Sequence, residues 1–127
     1  MGTADEMSLT PSTPSVLIVD DDPLIFSVIR RIAKDTRARL RFAGDAEEAM
    51  RMVETELPAL IISDYQMPGM DGMSFLERIK LRHPSVSCVL HTGFEKVRAR
   101  AGSNIHVLRK PCPNHVLREL IANVAIA

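Results

Sequence analysis

Three carboxylates in a row, Asp20, Asp21 and Asp22, close the stretch "VLIVDDDP" directly after four strongly β-forming apolar residues. A fourth, Asp64, closes the apolar run "ALIIS", a hydroxyl at Thr92 closes "VLH", and an ammonium at Lys110 follows "IHVLR". Like charges this close repel, and desolvation at the end of a buried strand makes the repulsion worse. Clustered carboxylates need a cation, and an all-oxygen site with few protein ligands suits Mg²⁺. A divalent ion would also hold an incoming phosphoryl oxygen. Lys110 offers a point charge to the same anion, and the Thr92 hydroxyl can donate a hydrogen bond to it. A carboxylate such as Asp64 can attack phosphorus and form an acyl phosphate. The parts fit phosphoryl transfer to a carboxylate.

The elements that must position these groups alternate along the chain. Residues 16–20 read as a first strand. A helix follows from Pro23, a residue suited to a first helical turn, with Leu24, Ile25, Val28, Ile29 and Ile32 on one face. Residues 39–43 make a weaker strand. Asp45 can cap a second helix, in which Ala46, Ala49, Met50 and Val53 share a face, and Pro58 ends it. Residues 59–63 form a nearly unbroken buried strand. After "DYQMPGMDG" comes a helix that turns Phe75, Leu76 and Ile79 inward. Strands at 86–90 and 105–108 follow, then a last helix carrying Val116, Leu117, Leu120, Ile121 and Val124.

Continuous apolar strands separated by helices predict a parallel sheet covered on both faces, a three-layer α/β/α sandwich. In open sheets of this kind ligands lie outside the carboxyl ends of the strands. For any single strand end, a polar residue is ordinary surface. Four ends that deliver complementary chemistry to one edge are not.

Composition narrows the remaining possibilities. The chain has 127 residues, 46% hydrophobic and 25% charged, with no formal net charge. That suits one globular domain with a proper core and carries no bias towards nucleic acid or anionic membranes. The apolar runs are far short of a bilayer span, and the N-terminus lacks a signal-peptide pattern. The two cysteines, Cys88 and Cys112, make neither a disulfide framework nor a metal-ligand spacing, so a reduced cytoplasmic location is expected. Residues 1–14, small and polar, are expected to form a flexible leader, in part of non-native origin, ahead of a domain at 15–127.

The motifs "VLIVDDDP", "LIISDYQMPGMDG", "VLHTG" and "LRKP", in this order over residues 15–126, resemble the receiver domains of bacterial two-component response regulators. The resemblance implies the flavodoxin-like strand order 2-1-3-4-5 and a signalling module, not an enzyme with an external substrate. It makes Asp64 the phospho-acceptor and places Mg²⁺ on Asp21, on Asp20 more loosely, on Asp64 and on the backbone carbonyl of Gln66. Thr92 matches the switch hydroxyl and Lys110 the phosphate-binding lysine, followed by a cis bond to Pro111. Asp22 has no fixed role and is expected to face solvent or cap the first helix.

The implied partners are a sensor histidine kinase or histidine phosphotransfer protein, with a downstream effector or a homodimer beyond it. Neither direct nucleic-acid binding nor membrane binding is implied. A rival reading is a docking module of the same fold with vestigial phosphorylation. Phosphatases with an aspartate nucleophile would want a second acid two residues on, where Gln66 stands.

Two departures from the family pattern bear on output. The segment from Thr92 to Lys110 is short, so the fourth helix expected there is shortened or irregular. Val107 stands where many members carry an aromatic that swings inward on activation, and it is too small and stiff to do so. Either the segment after Thr92 reorders, pivoting on Gly93 and Gly102, or the module relays the phosphoryl group onward. Phe94, two positions beyond Thr92, is expected to overhang the phosphoryl group and slow its hydrolysis.

Three other residues have bland readings that outweigh sharper ones. His91 is expected to be a packed or hydrogen-bonded bystander rather than a proton shuttle, and Cys112 a small buried hydrophobe rather than a redox switch. The basic run "RRIAKDTRARLR" is expected to be mostly a solvated helix face.

Overall fold

Strand and helix alternate as expected in the computed structural model, which describes residues 14–126. The strands are β1 (Ser15–Val19), β2 (Arg39–Ala43), β3 (Leu60–Ser63), β4 (Ser87–Thr92) and β5 (Ile105–Arg109). The helices are α1 (Pro23–Ile32), α2 (Ala46–Thr55), α3 (Gly72–Arg82) and α4 (Asn114–Ile126). All strand pairs are parallel, in the order β2-β1-β3-β4-β5. The leader expected at 1–14 lies, Pro14 excepted, outside the described residues.

The two-residue period of the strands splits the core in two. Leu17, Val19, Ile61, Cys88 and Leu90 pack against Ala46, Ala49 and Val53 of α2 and Phe75, Leu76 and Ile79 of α3. The alternate residues Val16, Ile18, Leu60, Ile62 and Val89 pack against Ile29 of α1 and Leu117 and Ile121 of α4. Each buried Val, Leu, Ile or Phe side chain among these contributes about 1.5–3 kcal/mol, so the central strands are fixed in register from both sides.

An aspartate caps each of the first three helices. Asp22 accepts from the Leu24 N–H at 3.0 Å, Asp45 from the Glu48 N–H at 2.8 Å and Asp71 from the Ser74 N–H at 2.8 Å. The third carboxylate of the acidic run therefore turns away from the other two to start α1, on exposed surface.

Among the described residues no helix stands between β4 and β5. Of the two outcomes expected there, the irregular one is found. Residues 93–104 hold two isolated turns, closed by Val97 N–H to the Phe94 carbonyl and Ser103 N–H to the Arg100 carbonyl. Gly102 and Asn104 adopt left-handed backbone, with φ of 80° and 60°. Val97 is the segment's buried anchor, and an ion pair of 3.3 Å joins Arg100 to Glu77 of α3.

In the basic run Arg30, Arg31, Lys34 and Arg37 are exposed, as expected, and the two arginines of β2 are half-buried. Arg41 donates to the carbonyls of Met52 and Glu56 at the end of α2, and Arg39 pairs with the Glu56 carboxylate. These arginines sit on β2 rather than on a helix, so they reach across and cap the carbonyl end of α2. Arg30 lies over the Phe42 ring, 4.4 Å from its centroid.

Candidate functional site

Backbone ladders place the acidic residues. Val19 and Ser63 are paired in register, and the ladder continues through Asp64 N–H to the Val19 carbonyl at 2.9 Å. Asp20 donates its own N–H to the Ala43 carbonyl at 3.0 Å. Asp20 and Asp64 are thus set side by side by β-sheet hydrogen bonds, and Asp21 follows at once. One carboxylate oxygen from each of Asp20, Asp21 and Asp64 lies within 4.8 Å of the others.

The electrostatics match that crowding. Asp20 is only 4% exposed. Burial pushes its carboxyl above the usual range, and the charges of Asp64 and Asp21 push it further. The Asp22 N–H, which donates to Asp20 Oδ1 at 2.9 Å, and the charge of Lys110 pull it back. Lys110 Nζ lies 3.5 Å from Asp64 Oδ1. One ammonium faces three carboxylates, and an all-oxygen set with surplus negative charge fits a hard divalent cation.

The other half of the edge comes from β4 and β5. Thr92 pairs in register with Arg109, and the Lys110 N–H donates to the Thr92 carbonyl at 2.9 Å. Thr92, 2% exposed, accepts the Phe94 N–H on Oγ1 at 3.0 Å, while its own proton can still be donated. The Lys110–Pro111 peptide bond is cis. Sequence reading and structure agree in bringing Asp20, Asp21, Asp64, Thr92 and Lys110 to one edge. Val107 is half-buried against the α2–α3 side of the core.

Three features of the site go beyond the residues expected. A Cβ on Gly72 would meet the Asp64 carbonyl oxygen at 1.9 Å, so only glycine lets the start of α3 press against the Asp64 backbone. The Gly72 N–H donates to the Tyr65 carbonyl at 2.8 Å and closes that loop. The Tyr65 and Phe94 rings stack, with centroids 5.6 Å apart and planes 10° from parallel. Phe94 is 45% exposed and therefore covered on one side by Tyr65. The "DG" pair at 71–72 signalled a turn, but neither the close approach nor a contact between residues 29 positions apart leaves a local mark.

His91 faces the opposite side of β4 from Thr92. It is buried, its Nε2 has no hydrogen-bond partner among the described residues, and burial followed by the charge of Lys110 lowers its pKa to about 4. A packed neutral imidazole results, without the hydrogen bond at Nε2 that would make it a relay. Cys112 is half-buried against the α1–α4 side of the core, and burial raises its thiol pKa. That disfavours the reactive thiolate.

An open, doubly wound parallel sheet with an acidic pocket and a lysine at its carboxyl edge defines a flavodoxin-like domain whose chemistry sits at the strand ends. The chain belongs to the response regulator receiver domain family, whose model matches residues 16–122. It is 36% identical over 123 residues to a protein-glutamate methylesterase/protein-glutamine glutaminase of Cereibacter sphaeroides, covering 91% of this chain and 33% of that protein. To the sensor histidine kinase GacS of Pseudomonas protegens it is 30% identical, covering 91% of this chain and 14% of the kinase. It thus spans a third or less of the length of these curated relatives.

The signal receiver domain of an HD domain-containing protein from Pseudomonas fluorescens Pf-5 superposes with a TM-score of 0.79 at 27% identity, covering 90% of this chain and 88% of that one. Among the described residues no helix is long and apolar enough to cross a membrane.

Proposed function

We propose that this domain accepts a phosphoryl group on Asp64 from the phosphohistidine of a sensor kinase or phosphotransfer protein, with Mg²⁺ as cofactor, and acts as a cytoplasmic signalling module. The observation that carries the reading is the convergence of Asp20, Asp21 and Asp64 within 4.8 Å, with Lys110 3.5 Å from Asp64. A docking module with vestigial phosphorylation would have no need to keep this self-repelling cluster intact.

Asp20, Asp21 and Asp64, with the Gln66 carbonyl, would hold the ion. Bound there, Mg²⁺ would neutralise the crowded carboxylates and offset charge on the phosphoryl oxygens. The Asp64 carboxylate oxygen forms the new bond to phosphorus as the P–N bond of the donor breaks, and the departing imidazole takes up a proton. Lys110 moves its ammonium from Asp64 to the incoming phosphoryl oxygens, an acceptor of higher charge. Thr92 donates its hydroxyl proton to one of them. Phe94, two positions beyond Thr92 and stacked on Tyr65, offers no base to a water, which favours slow hydrolysis.

Output through a swinging aromatic has no residue to carry it at Val107. The segment 93–104 is the part able to reorder, because Thr92 holds its first residues and few backbone bonds hold the rest. Asp64→Asn tests the assignment. Incorporation of acid- and base-labile phosphate from acetyl phosphate should vanish, and incorporation at the wild-type rate would overturn it.

A further inference from the structure

We propose that Arg109 is a positioning residue for this site: its guanidinium replaces the missing helix by clamping Phe94 against Tyr65 beside Asp64. The clamp can be read without any phosphorylation, and only its effect on phosphoryl lifetime rests on the reading of Asp64 as acceptor.

Arg109 is the last residue of β5 and pairs in register with Thr92. Its Nη1 donates to the Phe94 carbonyl at 2.7 Å and its Nη2 to the Val97 carbonyl. In a helix those carbonyls would be taken by backbone N–H groups one turn on. Here a side chain from a neighbouring strand reaches both, and the Phe94 carbonyl keeps in addition only its turn bond from the Val97 N–H. The planar fork suits two acceptors held at a fixed spacing, which a lysine ammonium on a flexible stem does not reproduce. Arg98 adds a second donor to Val97, at 3.0 Å, so that carbonyl is held from two sides.

The consequence falls on one residue. The Phe94 N–H is tied to Thr92 Oγ1, its carbonyl to Arg109 and its ring to Tyr65. One of these ties leads to the Thr92 hydroxyl at the sheet edge, and another to the residue that follows Asp64. The third leads to β5. A Thr92 that moves towards a phosphoryl oxygen must drag the Phe94 amide or release it, and Arg109 resists the drag. Arg109 therefore favours the stacked ring pair, and its loss should loosen both that pair and the tie that holds the Thr92 hydroxyl.

The chain has one tyrosine and no tryptophan. Tyrosine emission therefore reports on the Tyr65 ring alone. In the full chain, free of Mg²⁺ and phosphodonor, Arg109→Ala should lower the emission anisotropy and change the lifetime of Tyr65. Phe94→Ala should produce the same change, and the double variant no more than either alone. Arg109→Lys, the milder variant if the alanine form folds poorly, should lie between wild type and Phe94→Ala.

After loading with acetyl phosphate and Mg²⁺, Arg109→Ala should lose phosphate faster by roughly three- to tenfold, the net worth of one ordinary hydrogen bond. In the Phe94→Ala background it should add nothing. Tyr65 emission unchanged in both Arg109 variants, with circular dichroism showing them folded, overturns the clamp. Altered emission with an unaltered phosphoryl lifetime overturns the positioning role. A wild-type chain that takes up no phosphate contradicts the acceptor reading instead, and the emission series still decides the clamp.

Discussion

The acidic side of the sheet edge, where β1 and β3 end, and the opposite side, where β4 runs into residues 93–104, are held by different kinds of bond. Asp20 and Asp64 sit on continuing backbone ladders, over a fully buried double core, with Gly72 pressed against the Asp64 carbonyl. Residues 93–104 have two isolated turns, one buried anchor in Val97, one ring stack and a set of arginine side-chain bonds. A charge cluster that repels itself needs a rigid frame, because any slack would let it fly apart. Under the proposed function residues 93–104 answer to a phosphoryl group, and such a region needs bonds that can be exchanged at low cost.

The same substitution should therefore have very different effects on the two sides. Gly72→Ala drives a methyl into a backbone carbonyl that the sheet will not let move. It should cost more than about 3 kcal/mol in urea unfolding, or prevent folding. A loss under 1 kcal/mol would mean the Asp64 loop is far softer than its ladder suggests.

His91 tests the packing between the two sides. Its imidazole stays neutral in the folded chain down to a pKa of about 4, whereas an unfolded histidine takes up a proton near 6.5. Between these values the unfolded state binds more protons. Stability should accordingly fall as pH drops from 6.5 towards 4 and level off for this group below that. The full effect is about 3 kcal/mol. His91→Gln should remove this share of the slope, measured by urea titration at pH 7 to 4. An unchanged slope would place His91 in contact with water.

Gly102→Ala, on the softer side, adds a side chain at φ 80° with nothing within 4 Å of its Cβ. It should cost only about 1 kcal/mol, from the left-handed backbone alone. Asp21→Ala should cost least of all. It should leave metal-free stability unchanged or slightly raised, because removal of one like charge offsets the lost contacts. The wild type should gain stability with added Mg²⁺ while this variant does not. Wild-type Mg²⁺ affinity by calorimetry in Asp21→Ala would remove it from the ligand set.

Most of the rigid side was legible in the sequence. The continuous apolar run from Val16 to Val19 and the terminal positions of Asp20 and Asp64 put both carboxylates at one edge, and the helix caps at Asp22 and Asp45 follow from local chemistry. Resemblance supplied the strand order, which periodicity alone does not.

The softer side was legible only as a shortfall of residues. Glu95, Lys96, Arg98, Ala99, Arg100 and Ala101 are all good helix formers, yet they form no helix. Arg98 and Arg109 donate to carbonyls that a helix would use, so tertiary bonds override propensity. The Tyr65–Phe94 stack and the Gly72 contact depend on which loops meet in space. Arg39 and Arg41 misled for a related reason, since a charged residue on an edge strand reads as solvated until the end of α2 is seen beside it.

Amide hydrogen exchange, with and without acetyl phosphate and Mg²⁺, tests the division most directly. In the resting chain residues 93–104 should exchange through local opening, well ahead of β1 and β3. On phosphorylation the change in protection should concentrate in residues 93–103 and leave the ends of β1 and β3 unaltered. Changes confined to β5 around Val107 would contradict the account, for they would mean that the signal leaves through the strand and not through the segment that Arg109 holds.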